Sequence, residues 1–569
     1  MKKIYRHIGL IALVGAISFN SCETIELDLA ENPNQLSLEQ SSPDLLLNSI
    51  QIDFATFVEL MGQNGADLVR IGYMNGRQYG NITNYSPTNL NLEWNTAYQA
   101  DNGEGLATGL EINGILADIR ALAPDAESGE LFRHTAISQF IEAYTIVTLV
   151  DFFGDVPYSE AIQATGDSPN LNPAVDSGAS IYEAALQLLE DAVANFEIDV
   201  VTEPTNDFYY GGDWDRWIDA ANTLRMKIYL QTRLVDPTAI GNFNSIVASG
   251  DFIQSSAGDL QFQWGNNEVQ PDSRHPRYAA NYTSSGGADY LPNWLMNLMD
   301  IADDPRIRYY FYRQVNATPG AEAPPNEETL ACSLEPVPQH YTDGGFTFCF
   351  LPNGYWGRDH GQNAGIPPDG FTRTVYGVYP SGGLFDDSSF NGLSVGDGAG
   401  GAGITPILLS SWVDFMQAEV AMLGAAADGR PFLLNAITQS VDKVTSFGSL
   451  DSSADLSLAP TQGNIDNHLM NVADAFDAAD DMGKWDILAE QYLIALFGNG
   501  IDGYNFYRRT GFPTTLQPNL EPDPGTFIRS LNYPADFANN NSSVDPKPDQ
   551  TIQVFWDNNP ASPAFPIAN

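Results

Sequence analysis

The stretch QYLIALFGNGIDGYNFYRRTGFP, residues 491–513, carries the most information about the fold. Apolar residues recur at helical spacing up to Phe497 and predict a helix over 484–497. The segment that follows contains the pair Arg508-Arg509 in front of Thr510 and Gly511. We interpret these arginines as residues that cap and pair structural elements, and we do not assign them to ligand binding.

Helical patterns occur in pairs on both sides of a less regular middle region. A first helix is predicted over 43–61, and four pairs follow it. The predicted pairs are 90–122 with 131–153, 181–196 with 214–234, 406–424 with 431–447, and 465–480 with 484–497. Four antiparallel pairs predict a mostly α-helical, tetratricopeptide-like scaffold, although no pair carries the consensus sequence of that repeat.

The middle region, residues 240–405, is rich in Gly, Pro, Asn and aromatic residues, and only 291–301 predicts a helix there. It is too long for a structureless connector, so we expect an ordered, loop-rich lobe packed on the helices. Loops carry function more often than scaffolds do, and the ligand is therefore expected on this lobe. We divide the chain into a signal peptide, 1–21, and one domain, 22–569, made of a tether over 22–40, the lobe, and a helical scaffold over 41–240 and 405–515.

The N-terminus has the pattern of a secretory signal. A positively charged start precedes a short apolar stretch over 8–19 and then Cys22. The apolar stretch is shorter than the roughly 20 residues that span a bilayer as a helix. Cys22 in this position indicates the acylated first residue of a bacterial lipoprotein, with an ordinary structural cysteine as the alternative. We expect no later span, so the protein would sit on a membrane through its lipid.

The chain is strongly acidic, with 25 Lys and Arg against 72 Asp and Glu and a net charge of −47. Removal of residues 1–21 takes away three positively charged residues and no acidic ones, so the net charge changes from −47 to −50. Such a chain repels phosphate backbones, and nucleic acid is not an expected partner. So many carboxylates make accidental acid pairs unavoidable, and we assign none of them to catalysis.

Cys332 and Cys349 lie 17 positions apart in a stretch rich in Pro and Gly. In an exported protein this pair predicts a local disulfide. A metal site would need more ligands at short spacing, and only His340 is near. We expect no cofactor, and the Asp-rich segment 386–397 leaves calcium binding open without showing the EF-hand spacing.

Five segments, in order, resemble the motifs of one family. They are 151–158 (DFFGDVPY), 217–225 (WIDAANTLR), 304–306 (DPR), 499–511 (NGIDGYNFYRRTG) and 529–539 (RSLNYPADFAN). Together they extend over nearly the whole chain after Cys22. On these segments the chain resembles the SusD/RagB-like, or SusD-like, outer-membrane lipoproteins. It departs from the family at Gly503 and Tyr504, where an acid and a Trp are common.

The resemblance implies a SusD-like fold in which four tetratricopeptide-like pairs support a variable, loop-rich face. Family members are lipid-anchored on the outer face of the outer membrane. They act as the lid of a SusC-like TonB-dependent barrel, capture an oligosaccharide and deliver it for uptake without catalysis. Two alternatives stay open: capture of peptides by the same arrangement, and a lipoprotein glycosidase with a pair of acids in a cleft.

The resemblance also implies a ligand face on the loop after the first helix and on the irregular middle. From these regions we predict that Tyr79, Tyr85, Arg77, Tyr282 and Trp356 bind the ligand. Aromatic faces pack against sugar C–H groups, and a guanidinium donates to hydroxyls. Each aromatic residue has an alternative interpretation as a core residue of a lobe without regular structure. Because the chain is acidic, we expect a neutral glycan rather than a polyanionic one. Salt screening shortens the range of this electrostatic effect.

The same regions contain a wider set of aromatic and arginine residues that we also considered. These are Tyr73, Trp264, Arg274, Tyr355 and Arg358.

Overall fold

Helices make up most of the regular structure in the computed structural model of the chain, as the sequence predicts. The structure describes residues 42–74, 90–99, 114–162, 170–269, 271–317, 332, 335–362, 369–520 and 525–566. The predicted signal peptide, Cys22 and the whole of the predicted tether lie outside the described residues. Pro43–Asn569 forms one compact unit.

The helices described between residues 43 and 249 form the first part of the scaffold. They are α1 (Pro43–Leu68), α2 (Asn91–Tyr98), α3 (Ile115–Ser128), α4 (Phe132–Phe153), α5 (Gly178–Phe196), α6 (Trp214–Thr232) and α7 (Ala239–Ser249). The helix predicted over 131–153 is confirmed to within one residue by α4. A single helix over 90–122 is wrong, because Gln99 leaves the helical conformation after α2 and Gly114, with a φ of 91°, precedes α3.

The second part of the scaffold follows the lobe. Its helices are α12 (Ser410–Met422), α13 (Arg430–Ser446), α14 (Gln462–Ala478), α15 (Asp481–Ala495), α16 (Ile501–Thr510) and α17 (Ala535–Asn540). Successive helices pack against each other from α3 to α6 and from α12 to α15, as expected for paired helices. A reciprocal capping box between Thr461 and Asn464 fixes the start of α14.

The lobe between these two parts contains short elements joined by long loops, as predicted. They are β1 (Leu260–Gln263), α8 (Pro276–Asn281), α9 (Asn293–Ile301), α10 (Ile307–Tyr310), β2 (Phe311–Tyr312), α11 (Gln339–Gly344), β3 (Val375–Tyr376) and β4 (Ile404–Leu408). Strands β1 and β4 pair antiparallel, and so do β2 and β3. The predicted helix start at Pro406 is wrong, because Pro406 lies in β4 and the helix begins at Ser410.

The junction of α15 and α16 packs directly on the backbone of α1. A Cβ atom on Gly500 would lie 2.0 Å from the backbone nitrogen of Ala66. One on Gly65 would lie 2.4 Å from the carbonyl oxygen of Gly500. Only glycine lets two backbones approach this closely, so the Asn-Gly of the opening stretch fixes how α1 meets the second part of the scaffold.

Glu419 of α12 holds two arginines from different parts of the chain. Arg509 of α16 donates to it at 2.7 Å through both Nε and Nη2, and Arg233, at the end of α6, donates at 3.0 and 3.2 Å. The Glu419 side chain is fully buried. Burial alone would raise the pKa of Glu419, but the two guanidiniums outweigh it and lower the pKa. The predicted structural role of Arg509 is confirmed by these contacts.

Asp151, at the end of α4, receives hydrogen bonds from three distant segments. Its carboxylate accepts from the Tyr182 hydroxyl, from the Asn505 amide at 2.6 Å and from the Trp556 indole N–H at 2.9 Å. The carboxylate is buried, and burial raises its pKa. Residues near the end of the chain therefore complete the hydrogen bonding of a helix from its first third.

Two helices, Pro43–Leu68 and Phe132–Phe153, are long and apolar enough to cross a membrane by length and composition. This differs from the expectation that no run after Cys22 reaches spanning length. In each helix most of the apolar window is buried inside the fold, 72% and 94% respectively, so both pack as core helices.

Candidate ligand-binding site

The predicted ligand residues fall into two groups. Tyr79, Tyr85 and Arg77 lie outside the described residues. Tyr282 and Trp356 are described, and both are buried.

Tyr282 is a core residue of the lobe. Its ring stacks on Tyr278 with centroids 4.3 Å apart. Its hydroxyl donates to the carbonyl of Tyr376 and accepts from the N–H of Leu384, both at 2.8 Å. With its face and its hydroxyl both engaged, Tyr282 offers no surface to a ligand, and we correct its assignment to a packing role.

Trp356 packs on the disulfide of the lobe. Cys332 and Cys349 are bonded, and the indole of Trp356 forms a small buried cluster with them. Only 1% of Trp356 is exposed, because Val315, Phe348 and other apolar side chains cover the same cluster. A buried ring cannot stack on a sugar, and we also correct this assignment to a packing role.

A different aromatic residue, Tyr290, forms the centre of a polar cluster in the lobe. The Tyr290 hydroxyl donates to the carboxylate of Asp369 at 2.7 Å and accepts from Arg358 at 3.0 Å. Arg358 also donates to Asp369 at 3.1 Å, and Arg373 donates to the other carboxylate oxygen. The two guanidinium carbons lie 4.2 and 3.8 Å from the centroid of the Tyr290 ring. Asp369 thus fixes two planar cations against one aromatic ring.

Tyr73 extends this cluster toward the end of the described loop after α1. Its ring meets that of Tyr290 edge to face at 5.7 Å, and its hydroxyl donates to the carbonyl of Gln362 at 2.6 Å. Both tyrosines are partly exposed. Burial raises the pKa of Tyr290 to about 12 and raises that of Tyr73 further, so both stay protonated near neutral pH.

Phe371 lies on a turn beside this cluster and is exposed. The carbonyl of Asp369 accepts from the N–H groups of Thr372 and Arg373 at 2.9 and 3.0 Å, which closes the turn. The side chain of Phe371 is 51% exposed, which is unusual for a large aromatic residue. We call Tyr73, Tyr290, Arg358, Asp369, Phe371 and Arg373 the Tyr290 face.

The Tyr290 face combines a free aromatic surface with planar hydrogen-bonding groups held in place. An exposed phenyl ring can pack on the apolar face of a sugar or of another flat ligand. Arg358, Asp369 and Arg373 are buried, at 3%, 0% and 4% exposed, so their role is to fix Tyr290 in place. The partly exposed phenols of Tyr73 and Tyr290 are the polar groups that can exchange hydrogen bonds with the hydroxyls of a ligand. The arrangement is suited to recognition of a polar, partly planar molecule.

Metal binding by the Asp-rich segment 386–397 is not supported by the contacts of its first residue. Asp386 is buried and accepts from Arg313 at 2.5 and 3.2 Å. Among the residues that the structure describes, no group of three or more His, Cys, Asp or Glu is arranged to hold a metal ion.

The family model described as "Starch-binding associating with outer membrane" matches residues 33–323, just over half of the chain. The chain belongs to the SusD-like family. That description is one of binding proteins associated with the outer membrane, and it supports the predicted class of a nutrient-binding protein.

Solved structures of SusD-like proteins resemble the chain over nearly its whole length. A chitin-binding protein has a TM-score of 0.62 at 17% identity, covering 91% of this chain and 100% of its own. A chitin-binding SusD homologue from Flavobacterium johnsoniae has a TM-score of 0.58 at 17% identity, covering 90% of this chain and 99% of its own. A SusD/RagB family protein from Bacteroides thetaiotaomicron has a TM-score of 0.62 at 16% identity, with 91% and 100% covered. These likenesses show the SusD-like fold. No curated protein is similar enough in sequence to match the chain.

Sequence reasoning missed four residues of the Tyr290 face in this SusD-like protein. They are Tyr290, Asp369, Phe371 and Arg373. One signal was available, since Phe371 stands between Gly370 and Thr372 and outside any apolar period. The same kind of neighbouring residues led to the prediction that Trp356 binds the ligand, and the ring of Trp356 is buried. This signal alone therefore does not distinguish an exposed ring from a buried one.

Proposed function

We propose that this SusD-like protein captures a neutral oligosaccharide on the Tyr290 face. The observation that carries the proposal is the exposed residue Phe371 on the turn of Asp369, together with the partly exposed phenol of Tyr290. Asp369 and Arg358 hold that phenol in place. An aromatic surface next to fixed planar donors is the combination that a sugar needs, since one side of a pyranose is apolar and its rim is polar. The family's starch-binding description and the chitin-binding relatives support a glycan as the ligand.

Tyr79, Tyr85 and Arg77 remain proposed contacts of the same ligand. They follow Met74 in the sequence by a few residues, and Tyr73 belongs to the Tyr290 face. Single alanine substitutions at Tyr79 and Tyr85 are expected to weaken glycan binding without changing the stability of the fold.

We further propose that the protein is anchored at the cell surface through acylated Cys22 and acts as the lid of a SusC-like barrel. The family's association with the outer membrane and the lipoprotein pattern at Cys22 support this proposal. Co-purification of the tagged protein with a large barrel from outer membranes tests it. Replacement of Cys22 by Ser is expected to release the protein from the membrane.

Peptide capture has less support than glycan capture. Recognition of a peptide carboxylate needs an arginine whose guanidinium is accessible. On the Tyr290 face, Arg358 and Arg373 are buried and both bind Asp369. We also propose that the protein does not catalyse a reaction on its ligand.

The test is calorimetric titration of the full-length chain with neutral glycans, acidic glycans and peptides. Phe371→Ala is expected to weaken binding of the preferred neutral glycan roughly thirtyfold, as loss of a central aromatic contact costs about 2 kcal/mol. The matched control is Phe208→Ala, since Phe208 is also exposed, at 37%, but does not belong to the Tyr290 face.

Three outcomes would contradict the proposal. Binding of peptides alone would favour the alternative ligand class. Equal loss of binding in both phenylalanine variants would show that the effect is not local. Release of shorter sugars from any glycan would contradict the absence of catalysis.

A further inference from the structure

A second polar cleft lies between the lobe and helix α14, away from the residues of the Tyr290 face. It has a volume of about 850 Å³. One wall is the loop that joins α9 to α10, a second is the turn around Asn353, and the third is the segment leading into α14. The volume falls within the roughly 300–1,000 Å³ of small-molecule sites.

Tyr355 lines this cleft with a hydroxyl that has no partner among the residues that the structure describes. The residue is 3% exposed, and its ring lies under the guanidinium of Arg313, 4.9 Å from the centroid. Among the described residues, the Tyr355 hydroxyl has no hydrogen-bond partner. The hydroxyl is not one of the fully buried polar atoms, so the small exposed part of Tyr355 includes it and it is available to a bound molecule.

Helix α14 adds a row of amides to the opposite wall. Asn464, Asn467 and Asn471 follow at steps of three and four residues, which places them on one face of the helix. All three line the cleft and are exposed. The side chains of Asn467 and Asn471 make no hydrogen bond to any residue that the structure describes. Each amide presents both a donor and an acceptor.

An apolar strip accompanies these amides. Leu458 is 41% exposed and Met470 is 54% exposed, and both line the cleft together with Pro460. This wall of the cleft is therefore partly apolar and partly polar. It fits a ligand with an apolar face and a polar rim.

The charges in the cleft largely cancel. Arg306 binds Asp304 at 2.6 Å, and Arg313 binds Asp386 at 2.5 Å. His468 also lines the cleft, and burial lowers the pKa of this histidine, so it adds no positive charge near neutral pH.

Two acids and one cation remain near the opening. Asp300 accepts from the amide of Asn353 at 2.9 Å, and Asp303 is exposed. Arg308 donates to the hydroxyl of Ser388 at 3.0 Å. This balance does not favour an anionic ligand, since a polyanion would meet uncompensated carboxylates.

We propose that this cleft is a second binding site, and that it takes a short neutral oligosaccharide. The free hydroxyl of Tyr355 and the amides of Asn467 and Asn471 bind its hydroxyl or acetamido groups. The strip of Leu458, Pro460 and Met470 packs on its apolar face. The proposal stands on residues other than those of the Tyr290 face and does not require binding there.

The methyl group of Met470 provides a direct test. The full-length chain is labelled with 13C-methyl methionine and titrated with triacetylchitotriose, maltotriose, an acidic trisaccharide and a tripeptide. A saturable shift of the Met470 signal with a neutral trisaccharide is expected. The signal of Met482, 61% exposed on α15 and outside the cleft, is expected to stay unchanged.

Two sets of variants locate the ligand. The double variant Asn467→Ala/Asn471→Ala is expected to weaken binding about thirtyfold, and Tyr355→Phe about fivefold, at about 1 kcal/mol for each hydrogen bond lost. Asn242→Ala, at an exposed helical asparagine outside the cleft, is the control for the amides. Tyr310→Phe, whose hydroxyl donates to Ile494 elsewhere, is the control for the phenol.

The second site would be refuted if the Met470 signal does not move with any neutral trisaccharide, or if the double variant binds as the wild type does. A shift caused only by the tripeptide or the acidic sugar would refute the ligand class. Phe371→Ala separates the two sites, because it is expected to leave the Met470 shift intact. Loss of that shift in Phe371→Ala would show that Met470 reports binding at the Tyr290 face, and would also refute a second site.

Discussion

Replacement of Glu419 by glutamine tests whether the buried ion pairs hold the scaffold together. The substitution keeps the size of the side chain and removes its charge. Arg233 and Arg509 would then be left in the interior without their counterion. Helices α6, α12 and α16 meet at this carboxylate, so the effect is expected on global unfolding.

The burial of the group sets the expected magnitude. The side chain of Glu419 has no exposed surface, and those of Arg233 and Arg509 are only 8% and 5% exposed. Removing one partner of a buried pair costs about 3–5 kcal/mol. Glutamine can still accept from one guanidinium, so we expect a loss near the lower end, about 3 kcal/mol. This is a large part of the roughly 5–15 kcal/mol that stabilises a typical domain.

The assay is unfolding by guanidinium chloride, followed by tryptophan fluorescence. Asp477→Asn is the matched control, since Asp477 pairs with Arg430 at 2.8 Å on the surface, where their side chains are 55% and 39% exposed. An exposed pair contributes about 0–1 kcal/mol. Equal destabilisation by the two substitutions would refute the reasoning.

The dependence of stability on pH gives a second test of the role of Glu419. Its folded pKa lies below the ordinary 4.5, so the ionised pair stabilises the fold above that pH. This contribution is lost as the pH falls through the folded pKa. The stability difference between wild type and Glu419→Gln is therefore expected to shrink below about pH 4.5, and a constant difference would argue against the assignment.

Three further substitutions probe the site, the close backbone contact and a buried acid. Asp369→Asn is expected to abolish glycan binding in calorimetry, because it frees the two guanidiniums of the Tyr290 face; unchanged affinity would contradict this. Gly500→Ala is expected to lower the free energy of unfolding in denaturant by about 1–3 kcal/mol or more, because the new methyl group would overlap the backbone of Ala66. The control is Gly424→Ala, where the nearest atom to the new methyl group would be 3.5 Å away, and it is expected to change the free energy of unfolding little. Burial raises the pKa of Asp414 from 3.8 to about 6, so wild-type stability should fall relative to Asp414→Asn as the pH rises from about 4 to 6; parallel stability curves would contradict this.

The scaffold could be predicted where local pattern and burial agree. The apolar positions of α4 recur along its whole length, and the predicted and observed ends differ by one residue. Helix α16 is short and polar in composition, and it was not predicted as a helix. Arg508 and Arg509 are buried there through hydrogen bonds to distant residues, and distant partners leave no local signal.

The candidate site could be predicted only in part. Sequence reasoning placed the ligand on the lobe that carries the Tyr290 face, but it judged exposure from neighbouring residues. Trp356 and Phe371 have similar neighbours. Whether a ring is buried depends on what folds over it. The Cys332–Cys349 disulfide covers Trp356, while the Asp369 turn exposes Phe371.

The hydrogen bonds of Asp151 bear on how the chain folds as it is made. A chain that has been synthesised only through α6 has the carboxylate but lacks Asn505 and Trp556, 354 and 405 positions further on. Burying the end of α4 at that stage would leave a carboxylate with only Tyr182 as a donor, which is costly. The first helices are therefore expected to reach their final packing only after the segments around Asn505 and Trp556 are available. Loss of the segment around Trp556 would thus affect the packing of helix α4 as much as that of the segments close to Trp556 in the sequence.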